Sequence, residues 1–223
     1  MRRMNYEIYS EESNVIGICD YAVIRNKIEK NQDNKVSRQG RQRKIYFNRD
    51  INYLVDVCGQ EDVNTDRYSI NIYDGDIGHM ILDKQSNREG TIYRQYTYIT
   101  AQQCESILHG DIGWMAQSDD ALLRDLYLQM TINQCVPGVI VDYTREMYRM
   151  GYSGDYLIFD TEICSTYDID PKQLSTGQLV REALKMTERL EPGKVVMTYR
   201  QGLGMPKVLA SIVGWGQNRR QLN

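Results

Sequence analysis

Long apolar runs are missing from this sequence of 223 residues. No stretch approaches the roughly 20 consecutive apolar residues that a membrane-spanning helix needs, so we expect no membrane insertion. The first residues, Met1-Arg2-Arg3-Met4, lead directly into polar Asn5 and Glu7, without the apolar stretch of a secretory signal. We therefore expect a soluble, cytoplasmic protein.

Metal-binding and disulfide patterns are also missing. The cysteines are five in number, widely spaced and without a Cys-x-x-Cys pair: Cys19, Cys58, Cys104, Cys135 and Cys164. Such an odd, scattered set is typical of free thiols in a reducing compartment. Only two histidines occur, His79 and His109. A strand position for His79 without a second ligand favours a structural role over that of a metal ligand or acid.

Positive charge is not in excess, since 27 Lys and Arg face 30 Asp and Glu, a formal net charge of −3. Such a chain has no general attraction to nucleic acid or anionic lipid, and we expect no nucleic-acid partner. One basic stretch stands out, residues 31–49, with Lys35, Arg38, Arg41, Arg43, Lys44 and Arg49. It is either a solvated loop leading into a strand at Arg43–Phe47, or an anion-binding rim or nucleic-acid patch.

Phenylalanine is scarce and tyrosine abundant, at 2 against 17 residues. Tyrosine suits interiors and grooves in which the ring needs a polar group. The chain is long enough for one large domain with a sizeable core, so we expect a single domain over residues 1–223. We expect roughly the last 20 residues to be disordered.

The clearest local pattern lies between His79 and Thr100 and predicts a β-hairpin. Strands at His79–Gln85 and Thr91–Ile99 flank a turn through Ser86-Asn87-Arg88-Glu89-Gly90. Side chains alternate across a strand, which places His79, Ile81, Asp83 and Gln85 on one face and Ile92, Arg94, Tyr96 and Tyr98 on the face of the partner. Faces that mix long polar groups with aromatic rings are typical of the inside of a wide barrel.

The remaining pattern predicts further strands and helices. Strands are expected at Asn5–Ser10, Arg67–Tyr73, Val139–Met147, Tyr156–Asp160 and Val195–Tyr199. Helices are expected at Asp20–Lys30, Ala101–Gly110, Asp119–Gln134 and Ser175–Leu190. Thr100 and Gln103 have the spacing of a capping box at the start of the second helix.

The hairpin resembles the middle of the vacuolar transporter chaperone (VTC) domain, the polyphosphate-polymerase branch of the triphosphate tunnel metalloenzymes. The matching positions are Leu82, Lys84, Ser86, Gly90, Tyr93, Gln95, Thr97, Ile99 and Thr100. A second stretch, VIVDYTREM at Val139–Met147, is nearly identical to the family's Val-Ile-Val-Asp-Tyr-x-Arg-Glu strand. The resemblance implies an α+β fold: an antiparallel, triphosphate-tunnel-like β-barrel braced by several outer helices.

The resemblance also implies four phosphate-binding candidates, Arg145, Arg94, Arg43 and Lys84. Arg145 stands where the family has a phosphate-binding arginine. Its alternative role is a strand-end arginine paired with a carboxylate. Arg43 lies in a segment similar to a family strand and is expected to face the tunnel.

Strand alternation predicts a lumen lined mostly by neutral groups. The expected inward residues, apart from Arg43, are Ser69, Asn71, Ile81, Asp83, Gln85, Arg94, Tyr96, Tyr98, Arg145, Tyr156, Asp160, Val196 and Thr198. Ser69, Asn71 and Tyr156 replace arginines of the family pattern, and Val196 and Thr198 stand where its metal-binding Glu and its Lys belong. Asp83 and Asp160 nearly cancel the charges of Arg94 and Arg145. The sequence leaves the metal ligands unknown, with Asp83 and Asp160 the only plausible inward acids, on different strands.

The family moves the γ-phosphoryl group of ATP onto a growing polyphosphate chain, using inward cations and a divalent metal. Each lost charge-assisted phosphate contact weakens binding by about 1.5–3 kcal/mol. The sequence therefore favours a catalytically degenerate relative that binds a small anionic ligand or serves as a scaffold for a protein partner. The alternative is an active ATP-dependent polyphosphate polymerase with Mn²⁺ or Mg²⁺. The sequence does not indicate an oligomeric state.

Overall fold

A computed structural model describes residues 5–30, 35–47, 66–150, 154–166, 175–181 and 184–201. Within these ranges the elements follow one another as β1 Asn5–Gly17, α1 Ile18–Glu29, β2 Lys35–Phe47, β3 Asp66–Tyr73, β4 Met80–Arg88, β5 Thr91–Ile99, α2 Ala101–His109, α3 Ala121–Ile132, β6 Pro137–Met150, β7 Asp155–Thr166, α4 Thr176–Arg181, β8 Thr187–Glu188 and β9 Lys194–Gln201. A short 3-10 helix, Gly113–Gln117, lies between α2 and α3.

Eight of the strands close into a barrel. They are hydrogen-bonded in the order β6-β2-β3-β4-β5-β1-β9-β7, and β7 pairs back with β6. Every pairing is antiparallel, and closure leaves no free edge in the ring. The short strand β8 adds to β7 beside the ring. The expected α+β class with an antiparallel barrel is confirmed.

The predicted hairpin is present as β4 and β5. Its turn consists of Glu89 and Gly90 with φ values of 52° and 82°, the left-handed backbone that a two-residue hairpin turn requires. The turn is shorter than expected because Ser86, Asn87 and Arg88 continue the β4 ladder. His79 precedes the strand, is exposed, and binds Asp76 instead of facing the lumen.

Helices α2 and α3 brace the outer surface of the barrel on the side of β2 to β5. The core between them is buried and includes Ile70, Leu82, Ile107 and Leu126. Thr100 caps α2 as expected, since its hydroxyl accepts from the Gln103 amide while the Gln103 side chain accepts from the Thr100 amide. The outward faces of these strands therefore form the hydrophobic core, and the polar faces turn into the barrel.

Helix α1 closes a second core on the opposite side. Its buried residues Ile24 and Ile28 pack against Tyr148, Leu157 and Phe159 of β6 and β7. The barrel is thus covered by helices on two sides, as the resemblance implied. None of the helices in the described ranges is long and apolar enough to cross a membrane.

The bounds of β1, of β2 and of the helix expected at 175–190 are among those that differ from the sequence expectation. Strand β1 runs on to Gly17, and β2 begins at Lys35 because the basic stretch pairs residue by residue with β6. Among the described residues of the expected helix at 175–190, Thr176–Arg181 are helical and Thr187–Glu188 add to β7 as β8. In each case pairing with a distant strand overrides the local polarity of the segment. The expected disordered tail lies outside the described residues.

Candidate functional site

The inside of the barrel contains a cavity of about 550 Å³, surrounded by the beginnings of β1, β2, β4 and β7 and the ends of β3, β5, β6 and β9. A smaller space of about 120 Å³ lies toward the other end of the barrel. Lys44, Gln85, Arg145 and Arg200 line both spaces and mark the boundary between them. The candidate site is this pair of connected spaces, called the lumen below.

Most residues of the described lumen wall are uncharged, as expected, but the wall carries more basic side chains than the sequence predicted. Six basic side chains line it: Arg38, Lys44, Arg67, Arg94, Arg145 and Arg200. Four acidic side chains accompany them: Glu7, Glu11, Asp83 and Asp160. Of these ten residues, sequence reasoning found Arg94, Arg145, Asp83 and Asp160. Glu11, Arg38 and Arg200 were missed because β1, β2 and β9 are longer than predicted, and Lys44 because the inward parity of β2 was assigned one residue off. Glu7 and Arg67 lie inside predicted strands, where alternation could have found them.

Three of the arginines are held by lumen carboxylates. Arg94 Nε donates to Asp83 at 2.6 Å and its Nη1 donates to Glu7 at 3.1 Å. Arg200 donates to Glu11 at 2.7 Å. Burial opposes the positive charge of Arg94, but Asp83 and Glu7 hold the pKa of its guanidinium above the ordinary value. These arginines are therefore charged and already paired.

Arg145 and Asp160 form the third such pair, with two bonds of 2.6 Å between the guanidinium and the carboxylate. The expected cancellation of Arg94 by Asp83 and of Arg145 by Asp160 is confirmed by these contacts. Burial opposes the charge of Arg145, and Asp160 keeps the pKa of the guanidinium well above its usual range.

Lys44 and Arg38, both on β2, differ from the paired arginines. Among the described residues, no carboxylate lies within ion-pair distance of either side chain. Arg38 stacks at the mouth of the cavity, 3.6 Å from the centre of the Tyr73 ring, and Lys44 Nζ lies 5.7 Å from the ring of Tyr46. Burial lowers the pKa of Lys44, but the surrounding Tyr143, Tyr46 and Asp83 raise it above the ordinary value, so the side chain is charged.

Asn71 lies directly opposite Lys44 in the pairing of β2 with β3. Its side chain lines the cavity, and the residue is only 1% exposed. The Asn71 amide donates two long bonds, to Ser69 Oγ at 3.3 Å and to the carbonyl of Ile81 at 3.4 Å. Its Oδ1 is buried and accepts no hydrogen bond. Such an unsatisfied acceptor costs about 1–3 kcal/mol of stability.

The structure separates the four phosphate-binding candidates into two groups. Arg94 and Arg145 line the lumen, whereas Arg43 and Lys84 lie outside it. The expected inward position of Arg43 is wrong, because its guanidinium binds Asp142 at 2.7 and 2.6 Å and donates to the carbonyl of Leu179 in α4.

Lys84 shares the outer face of β4 with the buried Leu82 and points toward α3. Its ammonium lies 2.7 Å from Asp125 of α3 and 3.0 Å from Asp66 of β3. Lys84 therefore joins a helix to the barrel wall, and no phosphate in the lumen is within its reach.

The other expected lining residues lie at or beside the lumen. Those on the wall of the larger space are Asn71, Asp83, Gln85, Tyr96, Tyr98 and Tyr156. Asp160, Val196 and Thr198 line the smaller one. Ser69 is buried beside Asp83 and donates to it at 3.2 Å. Alternation along the strands was a sufficient signal for these positions.

The family resemblance implies a divalent metal, and the described residues do not fit one. A hard divalent cation needs several anionic oxygens that converge on one point. The four lumen carboxylates are spread over β1, β4 and β7, and each is bonded to a guanidinium. Across the described ranges, no group of three or more His, Cys, Asp or Glu side chains could hold a metal ion.

Comparisons with known proteins place the fold. No protein-family model matches the sequence, and no curated protein matches it. Among solved structures, the putative adenylyl cyclase HpAC1 from Hippeastrum, which has a dominant triphosphatase activity, is similar with a TM-score of 0.52, at 12% identity over 96% of this chain and 88% of that chain. The PH1819 protein from Pyrococcus horikoshii OT3 gives a TM-score of 0.41, at 15% identity over 96% of this chain and 90% of that one. The chain therefore shares its fold, an antiparallel β-barrel with outer helices, with the Hippeastrum protein.

Proposed function

We propose that the lumen binds a small anionic ligand of the phosphate class and that the chain is a binding module of the VTC type, not a phosphoryl transferase. The observation that carries this proposal is the convergence of six basic side chains on one cavity. Two of them, Lys44 and Arg38, have no carboxylate partner among the described residues. The triphosphatase activity of the Hippeastrum protein with the same fold agrees with a phosphate compound as ligand.

The absence of turnover is proposed from the pairing of the lumen charges. Phosphoryl transfer depends on cations and a metal that neutralise charge as it develops on the phosphoryl oxygens. Here Arg94, Arg145 and Arg200 are bound to carboxylates at 2.6–2.7 Å. A phosphate that takes over one of these arginines must break charge-assisted bonds worth about 1.5–3 kcal/mol.

The second candidate is an active triphosphate enzyme, such as an ATP-dependent polyphosphate polymerase using Mn²⁺ or Mg²⁺. The number of basic groups in the lumen favours it. In that case the lumen carboxylates have to leave their arginines when a metal binds, and the arginines then turn to the phosphates. This candidate differs from the first in a measurable product.

The test uses the whole chain with orthophosphate, AMP, ATP and tripolyphosphate, each with and without Mn²⁺. We expect the melting temperature to rise with phosphate compounds, and no inorganic phosphate or polyphosphate to form. A Lys84→Met variant is the control for binding, because Lys84 lies outside the lumen. Formation of polyphosphate or release of phosphate from ATP would establish the enzyme. No thermal shift with any phosphate compound would overturn the binding proposal.

A further inference from the structure

Unpaired positive charge is concentrated on one side of the lumen. The arginines of β5, β6 and β9 are each bonded to a carboxylate, as described for Arg94, Arg145 and Arg200. The β2 side carries Lys44 and Arg38, which have none among the described residues. An anion that enters the cavity meets the least competition on the β2 side.

A second, independent feature lies at the same place. Asn71 of β3 is directly opposite Lys44, is 1% exposed, and has a buried side-chain oxygen that accepts no hydrogen bond. Buried polar groups in folded proteins are almost always satisfied, so a lone acceptor in a cavity wall points to a donor that comes from a ligand. The Lys44 ammonium supplies hydrogen-bond donors to a ligand, and the Asn71 side-chain oxygen can accept a hydrogen bond from one.

The net charge of the lumen wall limits how much negative charge the ligand can carry. Six basic and four acidic groups give the described lumen wall a net charge of two positive units. A phosphate monoester carries about −1.5 to −2 charges near neutral pH, which this wall balances. A triphosphate carries roughly four negative charges, and this wall would leave about two of them unneutralised.

We propose that Lys44 and Asn71 form a subsite for the phosphate monoester of a hydroxylated small molecule. This inference rests on the proposed function. The Lys44 ammonium donates to the phosphoryl oxygens, and Asn71 Oδ1 accepts from a hydroxyl group next to the phosphate. Arg38 adds a second positive charge at the mouth. The tyrosine rings of the larger space, including Tyr96 and Tyr98, face the remainder of the ligand.

The experiment measures affinities by titration calorimetry without metal at low salt, using orthophosphate, ribose 5-phosphate, AMP, ATP and tripolyphosphate. We expect a monoester to bind at least about tenfold more tightly than tripolyphosphate, a difference that calorimetry resolves easily. Ribose 5-phosphate and AMP distinguish a sugar phosphate from a nucleotide as the preferred monoester.

Variants separate the two halves of the subsite. Lys44→Met should weaken every phosphate compound by about tenfold or more, while Lys44→Arg, which keeps the charge, should retain binding. Asn71→Leu should weaken ribose 5-phosphate and leave orthophosphate nearly unchanged. It removes a buried unsatisfied oxygen together with two long hydrogen bonds, so its fold should be about as stable as that of the native chain. Lys84→Met is the control on the outer face.

The possible outcomes are distinguishable. Tripolyphosphate binding more tightly than every monoester, or full affinity in Lys44→Met, would overturn the subsite and leave the proposed anion-binding function standing. An equal loss of orthophosphate and ribose 5-phosphate in Asn71→Leu would overturn the role of the Asn71 oxygen. Absence of binding by every phosphate compound would overturn the proposed function itself.

Discussion

Arg145 and Asp160 face each other on neighbouring strands of the barrel, and two parallel bonds of 2.6 Å join the guanidinium to the carboxylate. The sequence left two roles open for Arg145, phosphate binding or pairing with a carboxylate. Both roles use the same N–H donors of the guanidinium. The structure has the carboxylate in place. Asp160 therefore controls which anions Arg145 can bind.

The Asp160→Asn variant tests that control. We expect its free energy of unfolding to fall by about 1.5–3 kcal/mol, because a partly buried guanidinium loses its charged partner. We also expect tripolyphosphate to bind more tightly, since Arg145 is released and the positive charge of the lumen rises by one unit. Urea denaturation and calorimetry measure the two effects. The Asp160→Asn, Arg145→Met double variant should lose the gain in affinity, and weaker tripolyphosphate binding in the single variant would contradict the prediction.

Lys84 is expected to affect the stability of the fold but not the binding of phosphate. Burial opposes its charge, but hydrogen bonds with Asp125, Tyr68 and Asp66 raise the pKa of the ammonium above its usual value. Lys84→Met should lower the free energy of unfolding by about 1–3 kcal/mol, since Asp125 and Asp66 lose a shared partner. Phosphate affinity should stay unchanged, as the side chain lies outside the lumen. A loss of phosphate binding with stability intact would place Lys84 in the site after all.

Gly40 of β2 is required by the turn that follows β3. A Cβ atom at this position would overlap the carboxylate of Asp74, which is fixed by a 2.7 Å bond from the Arg41 amide. We expect Gly40→Ala to destabilise the fold by about 1–3 kcal/mol. Gly113→Ala is the matched control, because a Cβ there meets no atom within 4 Å. Chemical denaturation of both variants gives the comparison, and equal stabilities would contradict the predicted overlap.

Tyr143 predicts how stability responds to alkali. Burial raises the pKa of its hydroxyl to about 12, although Arg145 and Lys44 act to lower it. The folded-state pKa lies above the unfolded value of about 10, so the contribution to stability is complete below pH 10 and is lost as the pH rises through the folded-state pKa.

The measurement compares the native chain with Tyr143→Phe between about pH 9 and 12. The variant also lacks the 2.8 Å bond from the Tyr143 hydroxyl to Gln42, so it should be less stable at neutral pH. The difference between the two proteins should shrink above pH 10, and absorbance titration should show one fewer late-ionising tyrosine. A Tyr143 hydroxyl that ionises near its ordinary pKa would contradict the prediction.

Local sequence determined the parts of the fold that depend on near neighbours. The alternation of β4 and β5 and the Glu89-Gly90 turn predicted the hairpin and its inward Asp83 and Arg94. Thr100 and Gln103 predicted the start of α2. These features involve residues close in sequence, so their pattern was sufficient.

Tertiary structure alone decided which cation of β2 faces the lumen. Arg43 and Lys44 are adjacent, and a shift of one residue exchanges the two faces of a strand. Ile45 and Phe47, on the same face as Arg43, are buried against the outer helices, which turns Lys44 inward. The lengths of β1 and β2 likewise depend on pairing with β9 and β6, which are distant in the chain. The sequence by itself determined a barrel with polar inner faces. Only the tertiary structure decided how charge is distributed inside the barrel, because the direction of each charged side chain depends on packing partners that are distant in sequence.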